Sequence, residues 1–555
     1  MILGDDSSAW TNFFDARKMT VTRLLKDPSR HLVFILVVVL FAVFTRLGRL
    51  DDPLFFDELY HVLAGTSWAR DGSFTLYEGA YERAPEFTKM VGWIFVGLGD
   101  VNVFAARIPS VIFGVMLVVV ASLWTRIAAG PLAGWIVASL LVCWPSGIYL
   151  SQIVRFYAIH GVLFFLAAIA FYELFMPARS ALWRLVLLVV AAVLFWTSLL
   201  FQDSSLVGLL GVFVWVFYFY AVPQIWRLSP GNRVLFTVSA VGLSLVVALV
   251  FQDVLVGLWN EYRATPWDKD PTAYHRALRN LYPSLWPMTP VFALIALASS
   301  PRPASFCLAI SAVGIFVHSF AGVQNIRHIY YVSPFLFAIW AMGLQVVARP
   351  LFRTVWVSTD SAFGAQLGQI LRYLIMGCGA AFVIAANTVF VDTLKGLRSG
   401  IIPEPAIQGD YVAARDVIEG YREAGAIVVV TDDLNAVKYF DGFDVNFSRN
   451  WLPPMNETEF ARDPRTGRPM ISELSSLSQI VQAYPTGVFV TPNVWWSIWP
   501  AYNNITVFLE VFNQPNVRWT LVDVGTTSVL AWTSDIVETG TVQATRALIE
   551  REQQN

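Results

Sequence analysis

The chain has 555 residues, of which 56% are hydrophobic and only 14% are charged, and its formal net charge at pH 7 is -2. This balance, with a mean hydropathy of +0.56, excludes an ordinary water-soluble protein and indicates that lipid surrounds much of the chain. The small negative net charge gives no reason to expect a nucleic-acid partner.

Long apolar runs separated by charged loops predict about eleven membrane-spanning helices. The predicted spans lie at 31–47, 103–127, 132–149, 158–176, 183–201, 205–222, 234–256, 287–299, 304–321, 329–348 and 371–391. Mostly polar residues precede the first run, so we expect a retained helix and no cleaved signal peptide. The short, proline-flanked run at 287–299 is expected to be tilted, broken or partly re-entrant.

Basic residues near the ends of the predicted spans fall in alternate loops. They include Arg17 and Lys18 before the first span, and then Arg126, Arg227 and Arg353. Because Lys and Arg favour the cytoplasmic side, these loops and the N-terminus are predicted to be cytoplasmic. The first long loop and the C-terminal residues then lie on the extracytoplasmic side.

Beyond residue 404 the pattern becomes that of a soluble domain. Helical stretches at 411–423 and 473–484 alternate with strand-like or β-rich runs at 426–431, 487–491, 518–523 and 527–533. Such alternation predicts a small α/β domain. The predicted organisation is a cytoplasmic segment at 1–30, a transmembrane domain at 31–392 that includes the outer loop 46–102, and an extracytoplasmic α/β domain at 393–555.

The first outer loop contains two adjacent carboxylates, Asp57 and Glu58, directly after Phe55-Phe56. A carboxylate in a partly buried cavity beside the membrane can accept the proton of an attacking hydroxyl, or it can supply oxygen ligands to a divalent cation. The alternative is a solvated acidic first turn of a helix, which the helix dipole stabilises.

The motif order of the chain resembles that of the GT-C glycosyltransferases. The matching segments are Phe56-Asp57-Glu58 after the first span, Arg83-Ala84-Pro85, Phe104-Ala105-Ala106-Arg107-Ile108-Pro109-Ser110, Tyr149 to Ile159, and Arg327-His328-Ile329-Tyr330-Tyr331-Val332-Ser333-Pro334. They look most similar to those of the bacterial protein-mannosyltransferase-like and aminoarabinose-transferase-like enzymes. The resemblance implies a polytopic α-helical GT-C fold in a bacterial inner (plasma) membrane and a polyprenyl-phosphate sugar donor.

The resemblance also implies roles for individual residues. Asp57 corresponds to the catalytic acidic residue, with Glu58 as its neighbour in the catalytic pair. The residues expected to bind the donor phosphate are Arg83, Arg155 and Arg327. The residues expected to bind substrate are Tyr60, His61, Tyr157, His328 and Tyr331. Guanidinium groups suit phosphate because their planar fork donates to two oxygens at once.

Two departures from the family pattern leave questions open. The double proline of relatives is absent after Arg83, and Tyr157 and His160 stand where several relatives carry a second acid. A second carboxylate, if one is required, has to come from a later outer loop. The candidates are Asp203, Asp253, Glu261 and Asp268. Dependence on a divalent cation, Mg²⁺ or Mn²⁺ held by Asp57, stays open.

The expected function is sugar transfer to a glycan, lipid or protein acceptor on the extracytoplasmic side, by inverting direct displacement with Asp57 as the base. A lipid or glycan transporter (flippase) is the first alternative, although transporters usually carry internal repeats and the sequence shows no convincing one. A non-catalytic assembly subunit is the second alternative.

Overall fold

A computed structural model describes most of the 555 residues. The described residues are 28–176, 179–250, 252, 256, 270–320, 324–354, 383, 386–399, 410–447, 460–463, 465–492, 505–536 and 538–554. The predicted segment 1–30 and the predicted span 371–391 therefore lie largely outside the described residues.

Residues of the predicted spans form long apolar helices. The helices up to residue 354 are α1 Pro28–Arg46, α2 Phe56–Asp71, α3 Pro85–Leu98, α4 Val103–Ala128, α5 Pro131–Val142, α6 Pro145–Ser151, α7 Tyr157–Leu174, α8 Ala181–Phe201, α9 Ser205–Val216, α10 Val222–Arg227, α11 Pro230–Val250, α12 Ala273–Leu281, α13 Thr289–Ser299, α14 Pro301–Ser319 and α15 Ser333–Thr354. A π-helical turn, Phe217–Ala221, joins α9 to α10, and a 3₁₀ turn, Ile326–Ile329, precedes α15.

Within the described residues, five helical spans are long and apolar enough to cross a membrane, and a bent pair makes a sixth. The bent pair is α5 and α6, which meet at 62° because Pro145 cannot continue α5. Exposed apolar side chains on α8, such as Leu182 at 71% and Trp196 at 67%, need lipid around them. The chain is an integral membrane protein with a polytopic helical fold, as the sequence predicts.

The C-terminal residues form a seven-stranded mixed sheet with helices. Its elements are α17 Tyr411–Glu423, β1 Ile427–Val430, α18 Asp433–Phe440, β2 Val445–Phe447, β3 Ala461–Arg462, β4 Pro469–Ile471, α19 Leu474–Ala483, β5 Thr486–Pro492, α20 Ile505–Phe512, β6 Val517–Val524, β7 Thr527–Ser534 and α21 Gly540–Gln554, after α16 Thr388–Ser399. The strand order is β3-β4-β2-β1-β5-β7-β6. The predicted α/β domain is thus confirmed, and β2, β3 and β4 are additions that the sequence did not indicate.

The sheet has a topological switch point beside β1. From β1 the chain proceeds to β2 on one side, whereas β5 pairs in parallel with β1 on the other side. Ligand sites of parallel sheets lie at such points, outside the carboxyl ends of the strands. Asp432 and Asp433 directly follow β1, so the switch point carries two acidic residues.

The chain divides into two compact units. The helical unit consists of Met1–Arg49, Ile108–Gln152 and Phe156–Pro403, and the loop–sheet unit of Leu50–Arg107, Ile153–Arg155 and Glu404–Asn555. The loop–sheet unit thus includes both the loop with Asp57 and Glu58 and the C-terminal sheet.

Close helix packing in the helical unit depends on small residues. A Cβ added at Gly211 would lie 2.7 Å from Cα of Ile310, so α9 and α14 approach at backbone distance there. Small residues at helix interfaces are typical of membrane proteins, where such van der Waals packing drives association.

Candidate active site

Glu58 is enclosed and fully hydrogen-bonded in the first turn of α2. One carboxylate oxygen, Oε1, accepts from Arg107 Nε at 2.8 Å and from the Val154 amide at 2.7 Å. The other, Oε2, accepts from Arg107 Nη2 at 2.7 Å and from the Phe55 amide at 2.8 Å. A carboxylate offers about four lone-pair positions, so no acceptor capacity remains for a substrate.

Arg107 also binds the backbone of the segment that leads into α2. Its guanidinium also donates to the carbonyl oxygens of Leu50 at 3.0 Å, Asp52 at 2.8 Å and Pro53 at 3.2 Å. The Glu58 side chain is 0% exposed and that of Arg107 is 2% exposed, so the ion pair is shielded from water. The sequence suggested Glu58 as a catalytic residue, whereas this geometry favours a role in positioning the loop.

Asp57, in contrast, retains access to solvent. Its side chain is 16% exposed, and its Oδ2 lies 3.8 Å from Nη2 of Arg155, whose side chain is only 3% exposed. Arg155 Nη1 also donates to the backbone carbonyl of Asp57 at 2.9 Å. The amide of Val154, the residue before Arg155, donates to the Glu58 carboxylate. Glu58 therefore also fixes the segment that carries Arg155. An adjacent cation favours the ionised carboxylate that a base requires.

Aromatic side chains surround this pair. The ring of Tyr60 stacks on that of Tyr81 at a centroid distance of 5.0 Å, and His61 meets Tyr81 edge-on at 5.4 Å. Burial and the charges of Arg155 and Arg83 hold the pKa of His61 well below its usual value, so its ring is neutral at physiological pH. His61 is fully buried, with Nδ1 2.9 Å from Thr88 Oγ1. The predicted contact of His61 with substrate therefore requires movement of its neighbours, whereas Tyr60 is only partly buried.

Arg83 lies exposed at the turn that leads into α3. The next residue, Ala84, has a left-handed backbone with φ of 48°, and Pro85 begins the helix. Proline suits the first helical position because that position has no intrahelical acceptor for an N–H. The Arg83 charge contributes to the lowered pKa of His61, so the guanidinium lies close to the aromatic cluster. An exposed cation before a helix N-terminus can receive an anion.

A group from the sheet completes the surroundings of Tyr60. Arg465 Nη1 donates to the Tyr60 hydroxyl at 2.9 Å, while Nη2 contacts Asp433 at 2.8 Å and Asp463 at 2.9 Å. Burial raises the pKa of Tyr60 to about 12, so its hydroxyl keeps a proton. Burial, together with the charges of Asp463 and Asp432, raises the pKa of Asp433 to about 7 despite the opposing charge of Arg465. Sequence reasoning missed this cluster. The signal that could have indicated it is the pair of acidic residues directly after a buried strand.

Four of the predicted site residues belong to the helical unit. Tyr157 begins α7, is 2% exposed and packs against Phe156 at a centroid distance of 4.9 Å. Arg327 and His328 lie half-buried in the 3₁₀ turn. Tyr331 is buried, and its hydroxyl lies 3.2 Å from His318 Nε2. Their predicted roles in donor and substrate binding stay predictions.

The candidates for a second acid lie either in the helical unit or outside the described residues. Asp203 belongs to the helical unit, and Asp253, Glu261 and Asp268 lie outside the described residues. The described part of the chain contains no group of three or more His, Cys, Asp or Glu side chains arranged to hold a metal ion. Beside Asp57, the Arg155 cation lies 3.8 Å from the carboxylate, and Glu58 already accepts four hydrogen bonds. These residues therefore fit a divalent cation poorly.

Solved structures with similar folds are glycosyltransferases of the GT-C class. ArnT from Cupriavidus metallidurans bound to undecaprenyl phosphate matches with a TM-score of 0.52 at 13% identity, over 95% of this chain and 98% of that chain. The archaeal oligosaccharyltransferase AglB from Archaeoglobus fulgidus, in complex with an inhibitory peptide and a dolichol-phosphate, matches with a TM-score of 0.54 at 12% identity, over 92% and 74%.

A further structure of the Archaeoglobus fulgidus oligosaccharyltransferase, in complex with Zn and sulfate, matches with a TM-score of 0.51 at 12% identity, over 83% of this chain and 69% of that chain. No protein-family model matches the sequence, and no curated protein sequence matches it significantly. At this level of identity the similarity concerns the fold. The chain shares the fold of ArnT and AglB, which is the GT-C fold that its motif order predicts.

Proposed function

We propose that this chain is a membrane glycosyltransferase that moves a sugar from a polyprenyl-phosphate donor to an acceptor on the extracytoplasmic side. The observation that carries the proposal is the difference in surroundings between two adjacent carboxylates. Glu58 accepts four hydrogen bonds and holds the loop, whereas Asp57 faces Arg155 with part of its side chain exposed. A base needs this combination of access to substrate and a stabilised charge.

The proposed reaction is a single displacement at the anomeric carbon. The Asp57 carboxylate takes the proton of the acceptor hydroxyl or amine as that atom forms its bond to the anomeric carbon. The bond between the anomeric carbon and the phosphate oxygen breaks, and the polyprenyl phosphate leaves with the electron pair. Since attack comes from the face opposite the leaving group, the product has the inverted configuration. Phosphate is a good leaving group, so no protonating acid is required.

The arginines have different electrostatic roles in this proposal. Arg155 is buried and anchored on the Asp57 backbone, which suits it to hold the carboxylate ionised and oriented. Arg83 is exposed at the start of α3, which suits it to receive the donor phosphate. Arg327, in the helical unit, remains a further candidate for the phosphate.

The nature of the donor rests on the structural relatives. ArnT was determined with undecaprenyl phosphate and AglB with a dolichol-phosphate, and both ligands are polyprenyl-type phosphates. AglB was also determined with an inhibitory peptide. For this chain a glycan, a lipid or a protein remains a candidate acceptor. The Zn in the related oligosaccharyltransferase gives a reason to test metal dependence, although no step above is routed through a metal.

The test is sugar transfer by Asp57→Asn in membrane vesicles supplied with a panel of undecaprenyl-phosphate pentoses and hexoses. We expect the wild-type protein to consume one donor, and the variant to lose at least about 100-fold of the rate. Asp71→Asn is the matched control, because Asp71 ends the same helix but its side chain is 43% exposed and pairs with Arg70. Full transfer by Asp57→Asn would exclude Asp57 as the base. Translocation of the intact lipid without transfer would favour the transporter.

A further inference from the structure

Arg465 connects the C-terminal sheet with the helix that carries Asp57. It lies in the connection between β3 and β4, where Asp463 Oδ1 accepts from its backbone amide at 2.9 Å and from its Nε at 3.1 Å. Its terminal nitrogens reach Asp463, Asp433 and the Tyr60 hydroxyl. Charge-assisted bonds from two directions hold the planar guanidinium in one orientation. The Tyr60 hydroxyl therefore meets a donor that is already fixed.

Tyr60 links the fixed guanidinium of Arg465 to the region around Asp57, the proposed base. It lies three residues after Asp57 on α2, a spacing that places both side chains on the same face of the helix. Its ring stacks on Tyr81 and meets Phe56 edge-on at 5.6 Å. The Tyr81 hydroxyl in turn lies within electrostatic range of Arg155, the guanidinium beside the Asp57 carboxylate, whose charge opposes the rise that burial causes in the pKa of Tyr81. Arg465 is thus linked to Asp57 through Tyr60 on the same helix, and the Tyr60–Tyr81 stack lies within electrostatic range of Arg155.

We propose that Arg465 is a positioning residue that acts through Tyr60 to hold the Asp57–Arg155 pair in its reactive geometry, so that the C-terminal sheet is part of the catalytic apparatus. This inference rests on the proposed function for its catalytic consequence. The physical link itself, from Arg465 to the first turns of α2, is independent of the reaction. Arg465 has no contact with substrate in this proposal.

A second contact between the same two segments provides a matched control. Arg468 pairs with Glu78 at 2.9 Å and donates to the Tyr77 hydroxyl at 3.0 Å, with its guanidinium 4.9 Å from the Tyr77 ring centroid. It therefore attaches the β3–β4 connection to the loop between α2 and α3 through Glu78 and Tyr77, and not through Tyr60. Loss of Arg468 weakens this attachment and leaves the Arg465–Tyr60 bond in place.

The first measurement is hydrogen exchange of the full-length protein in lipid nanodiscs. We expect Arg465→Met to accelerate exchange in peptides that cover α2 (Phe56–Asp71) and residues 153–155. Arg468→Met should accelerate exchange around residues 74–81 and leave α2 close to wild type. Unchanged exchange in α2 of the folded Arg465→Met protein would overturn the inference, whether or not sugar transfer is found.

The second measurement is kinetic and uses the transfer assay with the undecaprenyl-phosphate sugar that the wild-type protein consumes. Misplacement of a reactive group costs up to about 100-fold, so we expect Arg465→Met to lower kcat by roughly 10- to 100-fold with little change in KM for the donor. Arg465→Lys should recover part of kcat, because an ammonium keeps the charge but cannot reach all three partners. Arg468→Met should retain the wild-type kcat.

A double-variant comparison tests whether the effect passes through Tyr60. If it does, Arg465→Met combined with Tyr60→Phe is no slower than Tyr60→Phe alone. Multiplying effects, or an Arg465→Met protein with wild-type kcat, would refute the positioning role. Transfer by wild type together with its loss in Asp57→Asn would show that the proposed function stands even if that refutation is obtained.

Discussion

Arg155 is anchored on the same residue whose carboxylate it faces, since it donates to the backbone carbonyl of Asp57 at 2.9 Å and lies 3.8 Å from the Asp57 side chain. A guanidinium held in this way cannot follow the carboxylate as an ordinary surface partner does. At 3.8 Å the ion pair is longer than a direct hydrogen bond, and 16% of the Asp57 side chain is exposed. The pair therefore combines a fixed cation with a partly exposed base.

This arrangement predicts the kinetic effect of changing Arg155. Arg155→Met should lower kcat on the order of 100-fold, because the stabilising charge beside the base is lost. Arg155→Lys should be intermediate, since an ammonium keeps the charge but lacks the fork that bonds to the carbonyl. If Arg155 instead binds the donor phosphate, the main effect will be a higher KM for the donor. Steady-state kinetics with varied donor concentration distinguish the two roles.

The two adjacent carboxylates should respond in opposite ways to neutralisation. Glu58→Gln leaves the buried Arg107 without its counterion, and breaking such a pair costs about 3–5 kcal/mol. We expect a clearly lower thermal unfolding midpoint for Glu58→Gln in detergent micelles, and residual transfer by the folded fraction at low temperature. Asp57→Asn should unfold near the wild-type temperature and show no transfer. A stable but inactive Glu58→Gln protein would assign Glu58 a catalytic part after all.

The sequence predicted most of the helical fold because apolar length is a local signal. From motif order it also selected Asp57, Glu58 and Arg155 as candidate site residues, and the structure places Arg155 beside Asp57. It could not assign Glu58 to Arg107, because an ion pair between residues 49 positions apart depends on how the loop closes. Arg465 and Tyr60 are 405 positions apart, so no local sequence pattern indicates their contact.

Strand length explains the missed part of the sheet. β1 and β5 are runs of apolar, largely β-branched residues that are recognisable in the sequence, whereas β3 has only two residues and β2 and β4 have three each. Strands this short acquire their conformation from pairing with neighbours and not from local preference. The switch point that they define was therefore invisible before the fold was known.

Two glycines of the loop–sheet unit should differ sharply in their tolerance of a methyl group. A Cβ at Gly487 on β5 would lie 2.1 Å from the ring of Trp532, its partner on β7, so Gly487→Ala should destabilise the sheet by about 1–3 kcal/mol. Gly420 in α17 has nothing within 4 Å, so Gly420→Ala should be neutral or stabilise by about 0.5–1 kcal/mol. Thermal unfolding of both variants, followed by circular dichroism, tests the close packing at β5.

The raised pKa of Asp433, about 7, makes a contribution to stability that depends on pH. Between the unfolded value near 3.8 and this folded value, the folded protein binds a proton that the unfolded chain has released. The contribution is therefore fully present below about pH 4 and is lost as the pH rises through 7, with a slope of at most about 1.4 kcal/mol per pH unit. Asp433→Asn cannot bind this proton, so its stability should fall less than that of wild type between pH 5 and about 8.

The difference between the two proteins is the informative quantity, because other groups titrate in the same range. The lowered pKa of His61 makes both proteins lose stability as the pH falls below about 6.5, and this contribution cancels in the comparison. The groups that face Asp433 are Asp432, Asp463, Arg465 and, through Arg465, Tyr60. All of them are retained in Asp433→Asn. Parallel curves of unfolding midpoint against pH for the two proteins would mean that Asp433 is already ionised throughout, and that Arg465 outweighs the burial of its carboxylate.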